Sequence, residues 1–429
     1  MSFWQRVREY AVPATMIETA TARRRVGDWA GACAAAGVDV DLDLRALARA
    51  SGRDVAARVR ADLRQLAPDL LRWHLPRVAP DGLLRPGLTI PLARYDPGGG
   101  APPVWLVVRT APAWADAGQR LVLALWDGAD GSAHPHRRFR LDLHRHLWDA
   151  RRTLELRPRA GAAPGPESAV LPVPETVPDT CAVHRWAAEA ALLLRADREP
   201  GGLVRVRYGA RRHLVLDVTG PAARIVHDPA RGVRLPVLPD AATWVLPDLA
   251  LLDAGLVAAD RLHPLVAAAL VPGSAPVDSR PRATNGQRVV LCRGERHRIG
   301  LVDGVLTALD HDPVELRREE LLVALTGTPL PCLRVIDRAL RAPSGLTGVT
   351  ERLDHGDIAG ALAVVEDLLG TGAALRDGPL LDALTQAAER RTTYGLYRAG
   401  LPAPGQLCPP SCRSDRRVLG GHPRHAVKL

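Results

Sequence analysis

The chain has 429 residues, with 57 Lys or Arg against 47 Asp or Glu and a formal net charge of +10. A single lysine, Lys428, stands among those basic residues. This excludes a Walker-A phosphate loop, a pyridoxal Schiff base and the strand lysine of a protein kinase from everything upstream of it, and arginine is no substitute because its guanidinium stays protonated.

Apolar residues make up 47% and charged residues 24%, an ordinary globular balance. Arg for Lys, Ala for Ser and Trp for Phe are swaps a GC-rich genome favours, so much of the arginine excess reads as codon usage. No stretch approaches ~18 uninterrupted apolar residues. The N-terminus lacks an apolar signal-peptide core, and Met16 is an alternative start. Six scattered cysteines do not form a secreted disulfide framework, and the expected compartment is a bacterial cytoplasm, away from the membrane.

The elements, in chain order, predict an α+β protein. Residues 1–97 read as a helical region, in which Val55, Val59, Leu63, Leu66 and Leu70 share one helix face and Pro68 starts a further helix. The Gly- and Pro-rich run from Asp96 to Pro103 reads as a boundary. Residues 101–160 form a β-rich segment, with strands over VWLVVRT, RLVLALWD and FRLDLH and a basic, His-rich hairpin. Residues 161–180 read as a Pro-rich linker. An α+β core over 181–345 opens on a helix with Val183, Trp186, Ala190 and Leu194 on one side. It continues as a meander of LVRVRY, HLVLDV, ARIVHD and VRLPVL, then a second strand set, QRVVLC and RIGLVDGVLTAL. Residues 346–401 form a helical hairpin region, and 402–429 a basic Cys/His tail.

The charge is uneven. Residues 130–159 hold eight Arg against four acids, and 405–429 hold four Arg and Lys428 against Asp415. A polyanion-binding surface would therefore draw on Arg137, Arg138, Arg140 and Arg145, with Trp126, Phe139 and Trp148 near enough to stack bases, or on the tail.

Two clusters carry metal-ligand types. Cys408, Cys412, His422 and His425 supply the thiolates and imidazoles that tetrahedral zinc prefers, although their spacing departs from the common finger. His134, His136, His144 and His146 form a second candidate, since residues two apart share a face of an extended chain. Cys181 and His184 lie one turn apart near a helix start, where a thiol can be activated. Asp310-His311-Asp312 looks catalytic, but Asp312 before Pro313 reads as a helix cap. No HExxH, G-x-S-x-G or G-x-G-x-x-G occurs, and no catalytic residue is assigned.

Gly27-Asp28-Trp29-Ala30-Gly31-Ala32 echoes Gly356-Asp357-Ile358-Ala359-Gly360-Ala361. In each copy a Gly can end one helix and an Asp can cap the next, which is the pattern of an αα-hairpin. The opening SFWQRVREYAVPATMIETATARRRVGDWAGACAAAGVDVDLDLRAL and the later RTTYGLYRAGL resemble an uncharacterised family of actinobacterial proteins. Genes of that family accompany MoxR-type ATPases and von Willebrand A-type proteins, which implies a partner in a multi-component system but no site residues. The expected function is a non-enzymatic interaction or scaffold protein with a protein partner and no cofactor. The alternatives are nucleic-acid binding through 130–159 or 405–429, and a zinc module or metal-dependent hydrolase.

Overall fold

The computed structural model describes residues 2–115, 119–128, 134–160, 171–220, 222–228, 234–272, 288–292, 294–302, 305–308, 348–369 and 378–401, with further single positions between 310 and 321. The Cys/His tail from 402 onward, Cys408, Cys412, His422 and His425 included, lies outside the described residues, as do 161–170 of the expected linker. The chain is α+β, with about 49% helix and 17% strand. It divides into two compact units. The described part of the first lies within residues 1–114 and 120–277, and that of the second within 115–119 and 278–406.

The first unit is built on a four-stranded sheet of β1 (Val38–Asp41), β4 (Thr89–Tyr95), β5 (Val104–Thr110) and β6 (Leu121–Trp126), in the order β1-β6-β5-β4. The short β2 (Arg77–Val78) and β3 (Leu83–Leu84) pair separately. β1 runs parallel to β6, and the other neighbours are antiparallel. Leu106, Val108, Leu121, Leu123 and Ile90 alternate onto the face that packs against the helices Arg53–Leu63 and Pro68–His74. The stripe Val55, Val59, Leu63, Leu66 and Leu70 is buried as its spacing predicts. Each such side chain stabilises the fold by about 1.5–3 kcal/mol, and Pro68 occupies the first turn of its helix.

Two expectations are corrected here. Residues 1–97 are not wholly helical, because β1 and β4 lie within them and join the central sheet. The Asp96–Pro103 run is the connection of a hairpin, since Tyr95 pairs with Val104 across it. The FRLDLH segment forms no strand either. Pro135 and the arginines after it give short 3-10 turns at Arg137–Phe139 and Arg145–Leu147. Between them the chain runs along the open edge of β4, donating from His136 N to Thr89 O (2.7 Å) and from Leu141 N to Pro91 O (2.8 Å), which covers an edge that would otherwise be exposed.

A second cluster in the same unit joins the helix Trp186–Asp197 to the meander β7 (Leu203–Arg207), β8 (His213–Asp217) and β9 (Arg224–Val226). VRLPVL does not add a fourth strand. Pro236 has no N–H to offer a ladder, so the segment contributes a single bridge, with Pro236 O accepting from Arg205 N and Leu238 N donating to Arg205 O. The expected 181–345 core is thus divided, its residues up to 277 belonging to the first unit.

The second unit contains the antiparallel β10 (Arg288–Cys292), β11 (Glu295–Val302) and β12 (Val305–Ala308). Its helices are Val349–His355, Ile358–Leu369 and Pro379–Arg398, packed on Val349, Leu353, Ala361, Val365 and Leu380.

The internal echo is a structural repeat. Gly27 and Gly356 take φ of +80° and +83° at the ends of their helices. Asp28 accepts from Gly31 N at 2.8 Å, and Asp357 from Gly360 N at 3.0 Å. An arginine five residues earlier pairs with each aspartate, Arg23 with Asp28 and Arg352 with Asp357. A Cβ on Gly31 would lie 2.1 Å from Asp28 Oδ2, and one on Gly360 2.2 Å from Asp357 Oδ2, so the capping carboxylate itself demands glycine there. Gly31→Ala is expected to displace the cap and cost about 1–2 kcal/mol, measured as a lower thermal midpoint. An unchanged midpoint would remove this role from Asp28.

Candidate binding cleft

A β-bulge between Pro91 and Ala93 resets the register of β4, so that Arg94 pairs with Trp105 and Trp105 with Trp126. One row therefore crosses three strands at the end of the sheet. The Arg94 guanidinium sits 5.7 Å from the Trp105 ring centre, and the His134 ring lies 4.9 Å from Trp126. This row lines an open cleft of about 320 Å³ whose opposite wall carries Leu193, Asp197 and Glu199, with Arg137 and Arg140 among the other lining residues. That volume falls at the lower end of ligand-binding sites.

The electrostatics separate lining residues that are used up from those that are available. Arg140 is held by Asp142 and Asp197, each at 2.7 Å. Burial would lower its pKa, but these two carboxylates outweigh burial and raise it. Arg137 is exposed and has no acidic partner among the described residues. Glu199 is also exposed. The Trp126 indole N–H is shielded from solvent and meets no acceptor among the described residues. His136 accepts from Arg138 N through Nδ1 (3.2 Å), which leaves Nε2 as its N–H. Burial, then the arginines 138, 85 and 207, lower its pKa.

The structure sorts the four arginines singled out in 130–159. Arg138 bonds Asp240 at 2.6 Å, Arg140 is paired as above, and Arg145 bonds Asp62 and Asp149 at 2.6 and 2.8 Å. Three of the four serve the fold, and Arg137 alone faces the cleft unpaired among the described residues. Of the aromatics proposed to stack bases, Trp148 and Phe139 are buried and Trp126 is partly exposed. Trp105, which the sequence reading missed, faces Trp126 because of strand register, and nothing local announces it.

The four histidines do not form one set. His134 and His136 are exposed at the cleft, whereas His144 and His146 are buried beside Glu189. Their rings stand 5.8 Å apart, and His144 Nε2 lies 3.2 Å from Glu189 Oε2. Glu189 is gripped by Arg159 at 2.7 Å through both oxygens, so a cation there would meet a guanidinium. Among the described residues no group of three or more His, Cys, Asp or Glu side chains is placed to hold a metal ion.

Other chemistry-bearing residues are satisfied structurally. Cys181 is buried, and desolvation followed by the charge of Asp240 pushes its thiol up to about 12, the opposite of an activated nucleophile. Asp312 accepts from Val314 N at 2.9 Å, as a cap does, and Asp310 is bound by Arg298. A buried His263–Asp69 pair at 2.8 Å resembles half of a catalytic triad. Its other nitrogen, however, accepts from Leu265 N at the start of the helix Pro264–Leu270, so the ring has no site left to act as a base. Comparison with known proteins returned no matching family model, no similar characterised protein and no similar solved structure.

Proposed function

We propose that the protein is a non-enzymatic interaction component and that the cleft beside Trp105 and Trp126 receives a segment of a protein partner. The observation that carries this reading is the row Arg94–Trp105–Trp126–His134 beside an unpaired Arg137. Partly exposed indoles and arginine are the side chains that dominate binding energy at protein interfaces. The resemblance to proteins that accompany ATPase and von Willebrand A systems points in the same direction. The setting proposed is the bacterial cytoplasm, in keeping with the buried free thiols Cys33, Cys181 and Cys292. No helix among the described residues is long and apolar enough to cross a membrane.

A partner that co-purifies with the native protein is expected to be lost from Trp126→Ala and from Arg137→Glu, with affinity down at least ~30-fold, since hot-spot truncation costs about 2 kcal/mol or more. Quantitative mass spectrometry of native complexes from wild type and the two variants checks this. Equal recovery from all three would reject the cleft as the docking site.

A second reading, nucleic-acid binding at the same cleft, is favoured by the cross-strand tryptophan pair beside Arg137, a combination that suits stacked bases and a phosphate backbone. It predicts that fluorescence polarisation of a labelled single-stranded oligonucleotide responds steeply to salt and is weakened by Trp126→Ala. A flat salt response eliminates it.

A further inference from the structure

Away from the indole row, four separate segments bring cationic side chains around one aromatic ring. The guanidinium of Arg85, which follows β3, lies 5.5 Å from the centre of Phe139. That of Arg138 lies 5.2 Å from the same centre, and the His136 ring 4.6 Å. Asp240, at the start of the short helix Asp240–Thr243, bonds Arg138 Nε at 2.6 Å. Arg207, at the end of β7, completes the group: it acts electrostatically on Arg138 and Asp240 and donates to Ala210 O at 2.9 Å.

Arg85, Arg138 and Arg207 share one carboxylate, that of Asp240, on which all three act. Natural ion pairs tend towards one carboxylate per guanidinium, because confined like charges repel. The mutual repulsion is visible: after burial, the charge of Arg138 is the next cause lowering the pKa of both Arg85 and Arg207. His136 adds a neutral N–H donor through Nε2, since its Nδ1 is taken by Arg138 N. A three-to-one ratio of guanidiniums to carboxylate suits a group with two negative charges better than a monoanion. Tetrahedral oxyanions match the forked donors of arginine.

We propose that Arg85, Arg138 and Arg207, arranged around Phe139 and Asp240 with the His136 N–H beside them, form a binding site for a phosphate dianion, either free or as a phosphomonoester. Asp240 is its internal competitor. In the unliganded protein that carboxylate neutralises part of the cluster, and an incoming phosphate shares or displaces its bond to Arg138.

Isothermal titration with inorganic phosphate and with AMP, against acetate and chloride at matched ionic strength, tests this on the full-length protein. Saturable binding of phosphate or AMP, and none of acetate, is expected. Tighter binding of AMP would identify a phosphomonoester site, and tighter binding of inorganic phosphate a site for the free ion. Arg207→Gln, whose side chain bonds only a nearby loop carbonyl among the described residues, is expected to weaken binding at least tenfold while circular dichroism stays unchanged. Asp240→Asn is expected to tighten it, since the competitor is removed while a similar shape remains. A merely structural Asp240 would give the opposite result. The proposal is overturned if phosphate and AMP bind no better than acetate, if Arg207→Gln binds like wild type, or if Asp240→Asn binds more weakly.

Discussion

Replacing Asp149 by Ala is expected to lower the free energy of unfolding by about 3 kcal/mol, because removing one member of a buried ionic network strands the others. Asp149 is 0% exposed and binds two arginines, Arg145 at 2.8 Å and Arg151 at 2.7 Å. Both also reach Asp62 at 2.6 Å, and Asp62 in turn accepts from the Tyr95 hydroxyl at 2.7 Å. Burial alone would raise the pKa of the Asp149 carboxyl, but the bonds from Arg151 and Arg145 outweigh it and hold it below its ordinary value. The network ties the turn after Leu147 to the helix Arg53–Leu63 and to β4, where Ala67 N also donates to Trp148 O at 2.8 Å. Urea unfolding measures the effect, with Arg152→Ala as the control. Arg152 pairs with Glu155 on the surface, and such pairs contribute about 1 kcal/mol or less. If Asp149→Ala costs no more than that control, the network is not what organises the basic segment.

The second large effect concerns His146, whose two ring nitrogens have no hydrogen-bond partner while the residue is 1% exposed. A buried, unsatisfied polar group costs about 1–3 kcal/mol, so His146→Leu is expected to stabilise the protein by about 1–2 kcal/mol at pH 7. The groups that face His146 are His144, Arg159, Glu189 and Arg185. Burial first, then the charges of His144, Arg159 and Arg185, push its pKa well below 6.5 against the opposing pull of Glu189. His144 is lowered as well, chiefly by burial, and burial takes His74 down to about 4. Above pH 6.5 these imidazoles are neutral in both the folded and the unfolded chain, and stability is flat with pH on their account. Below 6.5 the unfolded chain takes up protons that the folded one refuses. Stability therefore falls as the pH drops from 6.5 towards 4, by up to about 1.4 kcal/mol per pH unit for each histidine. His146→Leu removes one of these three contributions. Denaturant unfolding at pH 7, 6 and 5 checks both parts. A variant no more stable than wild type at pH 7, or with an undiminished loss between pH 6.5 and 5, would mean that His146 finds a partner in solution.

Much of the local structure was legible before any coordinates. Spacing alone identified the buried stripe from Val55 to Leu70, the strands over 104–110 and 121–126, the meander after Leu203 and the capped hairpins at Asp28 and Asp357, because each depends on residues within a few positions of one another. The failures share one cause. β1 is four residues long and is a strand only because β6 lies beside it. Asp96–Pro103 looked like a boundary because Gly and Pro mark loops without saying what the loop connects. The histidines of 134–146 were grouped by proximity in sequence, yet the path along the β4 edge sends one pair to the cleft and the other into the core.

By itself the sequence determined the α+β class, the absence of lysine chemistry upstream of Lys428 and the positions of most helices and strands, all of them consequences of composition or short-range periodicity. Tertiary structure alone decided which arginines are spent. Arg138, Arg140 and Arg145 look the same in the sequence as Arg137, and what separates them is whether a carboxylate from elsewhere in the chain, Asp240, Asp197 or Asp62, arrives within bonding distance. Charge is additive along a chain, but its availability to a partner depends on desolvation and pairing in three dimensions. For that reason the basic segment that read as a surface is largely a set of internal ties, with Arg137 at the cleft and the cluster around Phe139 left as the places for a partner or ligand to bind.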